Sequence, residues 1–301
     1  SVKGVAMRDQ AFGLRELVKR TNLKRDRAAK SRRPSKQIVY AVASGKGGVG
    51  KTNVAVNLGI AMARCGSSVL ILDADLGMAN VNVVLGENVT KTLYNVFRGE
   101  KRLDEIIYPS RFGVDFISGG SGMHELANLS GAERYRFIEQ MKHLQRYDVV
   151  LVDVGAGINS TVTTFLRAVD IVLIVTTPEP TAITDAYAVM KAMLNAGADG
   201  ELRLIVNQCQ SEAQGEQVSA RIKTIVSRFL DREIVYSGCV LSDKTVRKAV
   251  YKQTPYIVYE PRAVCSQNIK KITGKLTGSN FIECNFNGLS GFFKKIFTMG
   301  N

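Results

Sequence analysis

Cysteine is scarce in this chain, and what there is lies scattered. Its 301 residues include only Cys65, Cys209, Cys239, Cys265 and Cys284, with no CxxC pair among them. Such spacing argues against a zinc ribbon or a disulfide framework, and the thiols are expected to be reduced and mostly buried. Long hydrophobic runs are missing too: none reaches the roughly 18 residues that cross a bilayer. The first residues lack the basic, apolar and small-residue succession of a secretory leader. A cytoplasmic location is therefore expected. No internal repeat is visible.

What is present is a 45% hydrophobic composition, enough for a substantial core, and a net charge of +14 that is unevenly placed. Residues 1–37 hold twelve Lys or Arg against three Asp or Glu, which is +9 of the total, and the other 264 residues carry only +5. An arm of this kind is solvated or meets an acidic partner, nucleic acid or anionic lipid. The stretch KRDRAAKSRRPSK (Lys24 to Lys36) has no apolar periodicity and reads as a linker. This divides the chain into a basic arm (1–36), a folded domain (37–275) and a C-terminal linker with a helix (276–301).

Within the domain, short apolar runs recur at Ile38–Ser44, Ser68–Asp73, Val114–Ser118, Asp148–Asp153, Ile171–Thr177 and Leu202–Gln208. Most are continuously apolar, as strands covered on both faces must be. Helical stretches lie between them, NVAVNLGIAMARCG and TAITDAYAVMKAMLNAG, the second stopping at Gly197. The alternation predicts an α/β fold: a mostly parallel, twisted sheet with helices on both faces.

Directly after the first strand and before the first helix stands GKGGVGKT, which fits G-x-x-x-x-G-K-[ST] in the context that pattern requires. Gly45, Gly47, Gly48, Val49 and Gly50 supply main-chain N–H groups to phosphate oxygens, and the helix N-terminus adds its positive dipole end. Lys51 is placed to reach the β- and γ-phosphates, Thr52 to hold Mg²⁺, and Asn53 closes the loop. Lys46 is a second cation at the same anion site and has no duty in that scheme.

KGGVGKT resembles the deviant Walker A motif of the MinD/ParA ATPases, and the resemblance extends over nearly all of residues 37–301. It implies an ATP-bound homodimer in which Lys46 crosses to the phosphates held by the other subunit. A cation supplied in trans to a transferring phosphoryl group is physically sensible. The same resemblance assigns Asp73 to Mg²⁺ support and Asp75, in LILDADLG, to orienting the attacking water. Asp153 closes DVVLVD as a Walker B carboxylate near Mg²⁺, with Gly155–Gly157 as a switch loop, and Asn207 matches a position that hydrogen-bonds adenine. The cofactors implied are ATP and Mg²⁺. Two relatives are excluded by cysteine: a nitrogenase-type iron protein needs one between Cys65 and Cys209, and iron–sulfur scaffold ATPases need a C-terminal CxxC.

Near the C-terminus, Leu289, Phe292, Phe293, Ile296 and Phe297 fall on one helical stripe, with Lys294 and Lys295 beside it. So short a helix needs a surface to fold against, either its own domain or an anionic membrane interface. It resembles the membrane-targeting helix of MinD, which implies reversible, peripheral attachment to the inner face of the cell membrane. At the other end DQAFGLR contains Asp9, Gln10, Ala11, Leu14 and Arg15, and resembles the DQAxxLR motif of the FlhG (YlxH, FleN) family of flagellar-number regulators. In that family the motif activates the signal-recognition-type GTPase FlhF, with the glutamine entering its active site. Flagellar switch-ring proteins are a further implied partner, and nucleic acid is not expected as one. The alternatives left open are a MinD acting on cell division and a ParA-like partition protein binding DNA through the basic arm.

Overall fold

Each apolar run becomes a strand because its side chains feed two opposite faces: Val39, Ala41 and Ala43 point to one hydrophobic cluster and Tyr40 and Val42 to another. The computed structural model describes residues 37–75, 80–120, 130–278 and 288–299. In chain order these form β1 (Ile38–Ala43), α1 (Lys51–Arg64), β2 (Val69–Ala74), α2 (Val81–Leu85), α3 (Leu93–Phe97), β3 (Tyr108–Pro109) and β4 (Asp115–Ser118). There follow α4 (Gly131–Met141), β5 (Val149–Val154), α5 (Ser160–Ala168), β6 (Ile171–Thr176), α6 (Pro180–Asn195) and β7 (Glu201–Cys209). The chain continues through α7 (Glu212–Leu230), β8 (Val235–Leu241), α8 (Lys244–Tyr251), α9 (Tyr256–Tyr259), α10 (Val264–Thr277) and α11 (Gly288–Met299).

The eight strands form one sheet in the order β3-β4-β2-β5-β1-β6-β7-β8. Every neighbouring pair is parallel except β3 with β4. The expected mostly parallel, doubly covered sheet is therefore observed. One cluster packs α4, α5, α6, α7 and α11 on one face; α1, α2, α9 and α10 form the other. The helix expected to stop at Gly197 does so: Gly197 has φ 85°, and Ala198 N–H reaches back to the Met193 carbonyl at 3.0 Å.

Residues 211–285, in which the sequence points to further strands and helices without locating them, supply the edge strand β8. More consequentially, α11 is seated on the domain itself: Phe292 and Phe293 are 0% and 1% exposed, and Ile296 and Phe297 are buried with them. Phe293 meets Phe137 of α4 edge-on at 4.9 Å between centroids, and Phe292 stacks on Phe165 of α5 at 5.7 Å. Lys295 reaches Asp199 at 3.5 Å, while Lys294 is exposed. Phe292, Phe293, Ile296 and Phe297 thereby join the hydrophobic cluster on one face of the sheet. Asp9, Gln10, Ala11, Leu14 and Arg15 lie outside the described residues, as does the side chain of Leu289.

Candidate functional site

In an open parallel sheet ligands bind beyond the carboxyl ends of the strands, and the loop from Gly45 to Gly50 leaves β1 at that edge. Two of its glycines are required by shape. Gly50 has φ 86°, and a Cβ there would collide with the Asn207 amide; at Gly45 it would strike the main chain of Asp185 in α6. Gly50 accepts the first helical bond from Val54 N–H at 2.9 Å, so α1 starts with its N-terminus at the loop.

Register then gathers the carboxylates. On the adjacent parallel strands β2 and β5, Asp73 lies directly opposite Asp153, and the two are 1% and 0% exposed. Lys51 Nζ lies 2.6 Å from Asp153 Oδ1, and Thr52 Oγ1 donates to Asp153 Oδ2 at 2.6 Å. Asp153 is thus the shared anchor of both loop residues. Asp73 instead accepts main-chain N–H bonds from Asp75, Asn80 and Val81 at 3.2, 2.9 and 3.0 Å, which tie the start of α2 to the end of β2.

Burial first, and the Asp153 charge second, push the Asp73 carboxyl up to about 6, although its three main-chain bonds oppose the shift. Burial also raises Asp153 above the usual carboxylate range, with Lys51 and Thr52 working against it. Two adjacent buried carboxyls, of which Asp153 is paired with Lys51, create an excess of negative potential that a divalent cation would relieve. The oxygen donors Asp153, Asp73 and Thr52 suit Mg²⁺, which takes one or two carboxylates and completes its shell with phosphate and water. No group of three or more His, Cys, Asp or Glu able to hold a metal occurs among the described residues.

Around this centre Gly157 N–H donates to the Ser44 carbonyl at 3.0 Å, so the loop after β5 lies against the glycine loop. The Asp75 carboxyl faces Gly155, where a Cβ would come within 3.5 Å of its Oδ1. Asn207 Nδ2 donates to the Val49 carbonyl at 2.7 Å, and Asn207 lines a cavity of about 320 Å³. That cavity is also lined by Asn53, Ser242, Asp243, Val246 and Arg247. The last four went unnoticed in the sequence; the Asp243 cap of α8, accepting from Thr245 N–H at 2.8 Å, is the signal that could have located them.

Lys46 stands apart from the buried cluster. Its Nζ lies 3.0 Å from Glu179 and 3.3 Å from Thr181 Oγ1 at the start of α6, with the Lys46 and Glu179 side chains 43% and 62% exposed. The stripe of α11 is also separate: its aromatic side chains meet α4 and α5 rather than the loop.

Comparison with known proteins agrees with this geometry. A family model described as an AAA domain matches residues 36–198. The antiactivator FleN of Pseudomonas aeruginosa is 38% identical over 239 residues, covering 79% of this chain and 85% of FleN. The flagellum site-determining protein YlxH of Helicobacter pylori is 36% identical over 261 residues, covering 85% of this chain and 88% of YlxH. Among solved structures, MinD of the Aquifex aeolicus MinC:MinD complex is 25% identical with a TM-score of 0.65, covering 83% of this chain and 99% of that one. The Mg-ADP complex of Pyrococcus horikoshii MinD shares the fold at a TM-score of 0.66, with 24% identity and coverage of 83% of this chain and 100% of that one. With a glycine loop, a Walker B carboxylate and a parallel sheet placed as they are, this chain belongs to the MinD/ParA family of P-loop ATPases, on the branch that includes FleN and YlxH.

Proposed function

We propose that this protein is a Mg²⁺-dependent, ATP-hydrolysing switch that regulates flagellar number or placement and stimulates an FlhF-type GTPase. The observation that carries the enzymatic part is the Asp153 carboxylate gripping both Lys51 and Thr52 beside a second buried carboxyl. The flagellar part is supported by the names of the relatives, an antiactivator and a flagellum site-determining protein.

Mg²⁺ would supply charge neutralisation between the phosphates, held through Thr52, Asp73 and Asp153. Lys51 exchanges its carboxylate partner for phosphate oxygens without leaving the loop. Asp75 accepts a hydrogen bond from the attacking water and aims it at the γ-phosphate, and Asn207 Oδ1 accepts from the adenine amino group. Lys46 leaves Glu179 to meet the phosphates of a second copy, so turnover depends on dimerisation. The exposed Lys46–Glu179 pair is worth only about 0–1 kcal/mol, which makes it easily exchanged.

Membrane residence uses α11. Four buried apolar side chains hold it to its own domain, each contributing roughly 1.5–3 kcal/mol by area. Release therefore needs a competing apolar surface, which an anionic bilayer provides together with attraction to Lys294 and Lys295. Two released helices on one ATP-bound dimer act at high effective concentration. The test is phosphate release from ATP with and without Mg²⁺, alongside flotation with anionic vesicles in ADP and in ATP. Turnover that ignores Mg²⁺, or equal vesicle binding in both nucleotides, overturns the corresponding part. A peptide of residues 1–23, compared with its Gln10→Ala variant, tests the GTPase part against FlhF: equal effects of the two peptides refute it.

A further inference from the structure

Charge in the folded part of the chain is segregated by position. Residues 38–243 hold nineteen Lys or Arg against twenty-two Asp or Glu, a net charge of −3, whereas residues 244–275 hold eight Lys or Arg against Glu260 alone, a net +7. This excess is separate from the basic arm, and no step of the ATPase scheme uses it.

Half of it lies on α8. Lys244, Arg247, Lys248 and Lys252 follow one another at i, i+3, i+4 and i+8, so they share one helical stripe that ends at the capping residue, and all four are exposed. Tyr251, at i+7 of that stripe, is 87% exposed. On α10, Lys270, Lys271 and Lys275 are exposed as well, and so is Arg262 in the segment between the two helices. Neither helix contains an Asp or Glu. Among the described residues, Lys271 alone of the eight is in an ion pair, with Glu212 at 3.0 Å. Lys270 Nζ donates to the Pro261 carbonyl at 2.8 Å.

A solvated helix surface ordinarily mixes both signs, because like charges at i and i+4 repel. Here Lys244 with Lys248, Lys248 with Lys252, and Lys271 with Lys275 are such pairs, and no carboxylate on their own helix offsets them. Both helices rest on one hydrophobic cluster, α8 through Ala249 and α10 through Cys265, Ile269 and Ile272. The cations therefore gather on one side of the sheet.

Three observations define what would meet them. Six of the eight are lysine, which protein interfaces deplete while enriching arginine, so a protein partner is disfavoured. α11 belongs to the cluster on the opposite face, so a bilayer that engages α11 meets the other side of the sheet. The 14 residues of α10 extend about 21 Å, a distance over which duplex DNA presents roughly twelve phosphates. Spaced cations free of competing carboxylates suit that backbone, and the exposed Tyr251 hydroxyl adds a donor to phosphate oxygen.

We propose that α8, α10 and the segment joining them form a binding face for the phosphate backbone of duplex DNA, one that does not read its sequence. This revises the expectation, drawn from the sequence, that nucleic acid is no partner. Binding releases counterions from the duplex, so its affinity falls steeply with salt.

The full chain is titrated against a fluorescein-labelled duplex of about 24 base pairs, from about 50 to about 300 mM salt. Two fourfold variants remove equal charge from different places. One carries Lys248→Gln, Lys252→Gln, Lys270→Gln and Lys275→Gln on the face; the other carries Arg25→Gln, Arg27→Gln, Arg32→Gln and Arg33→Gln on the arm. Loss of four phosphate contacts should lower the slope of log affinity against log salt by about 3.6, and the affinity at about 0.1 M salt by about 100-fold or more. The arm variant should lose less than about ten-fold. In the wild type, the duplex should also shield Lys248, Lys252, Lys270 and Lys275 from acetylation by acetic anhydride, relative to the exposed Lys191 of α6. That readout needs no variant to fold. Absence of binding by the wild type, equal losses in the two variants, or equal shielding of Lys191 overturns the proposal. So does a face variant that keeps its DNA affinity but no longer floats with phosphatidylglycerol vesicles, since the face would then belong to a bilayer.

Discussion

The carboxyl edge of the sheet and the seat of α11 solve one problem in opposite ways. At the edge, charges with work to do elsewhere are held by other charges: Lys51 by Asp153, Lys46 by Glu179. At the seat, apolar side chains suited to another surface are held by area, Phe292 on Phe165 and Phe293 on Phe137. Ion pairs exchange partners readily because phosphate replaces carboxylate like for like. Buried aromatic area does not exchange with water, only with another apolar phase. Under the proposed function, the edge therefore responds to a soluble ligand, whereas the seat responds only when a membrane or an equivalent surface is offered.

Four experiments bear on this contrast, beginning with the largest effect. Lys46→Ala is expected to retain ATP binding while losing about 10³-fold or more of turnover, as a trans-acting cation does. Wild-type phosphate release by that variant would show that the exposed pair with Glu179 is its whole role. Next, Phe293→Ala should lower the unfolding free energy by about 3–5 kcal/mol, because a fully buried ring is lost from the core. An unchanged denaturant midpoint would mean that α11 adds nothing to the fold, and the contrast would fail.

The third effect is electrostatic. A carboxyl raised from 3.8 to about 6 binds its proton more tightly in the folded state, so its stabilising contribution is present below pH 4 and lost as pH rises through 6. For Asp73 the loss amounts to at most about 3 kcal/mol. Added Mg²⁺ and ADP should consequently raise the melting temperature more at pH 8 than at pH 5.5, and Asp73→Asn should flatten the difference. Equal gains at the two pH values would remove the buried carboxyl pair as its source. The smallest effect is expected from Glu179→Gln: under about 1 kcal/mol in stability, since both partners are largely exposed. A larger loss in thermal unfolding would show the edge to be less exchangeable than the seat.

The six apolar runs were legible as strands because a buried parallel strand has no polar face to interrupt it. The edge strand β8 belongs to a stretch legible only as holding further strands, and its place was not legible because YSGCVL mixes Ser237 and Gly238 with apolar residues and packs only partly. Within the site, the glycine loop and its neighbouring carboxylates could be read from spacing and resemblance. The Glu179 partner of Lys46 could not, because it depends on where α6 begins in space. The Phe-rich stripe was visible as a stripe, but periodicity is the same for a helix that meets lipid and one that meets Phe137.

By itself, then, the sequence determined the local matters: which runs make strands, and where glycine must bend the chain between the first strand and the first helix. These follow from short-range sterics and from side-chain type. Only the tertiary structure decided that Asp73 and Asp153 stand side by side and that α11 closes the core. Each of these joins residues far apart in the chain, and which distant groups share a buried space is set by register and packing.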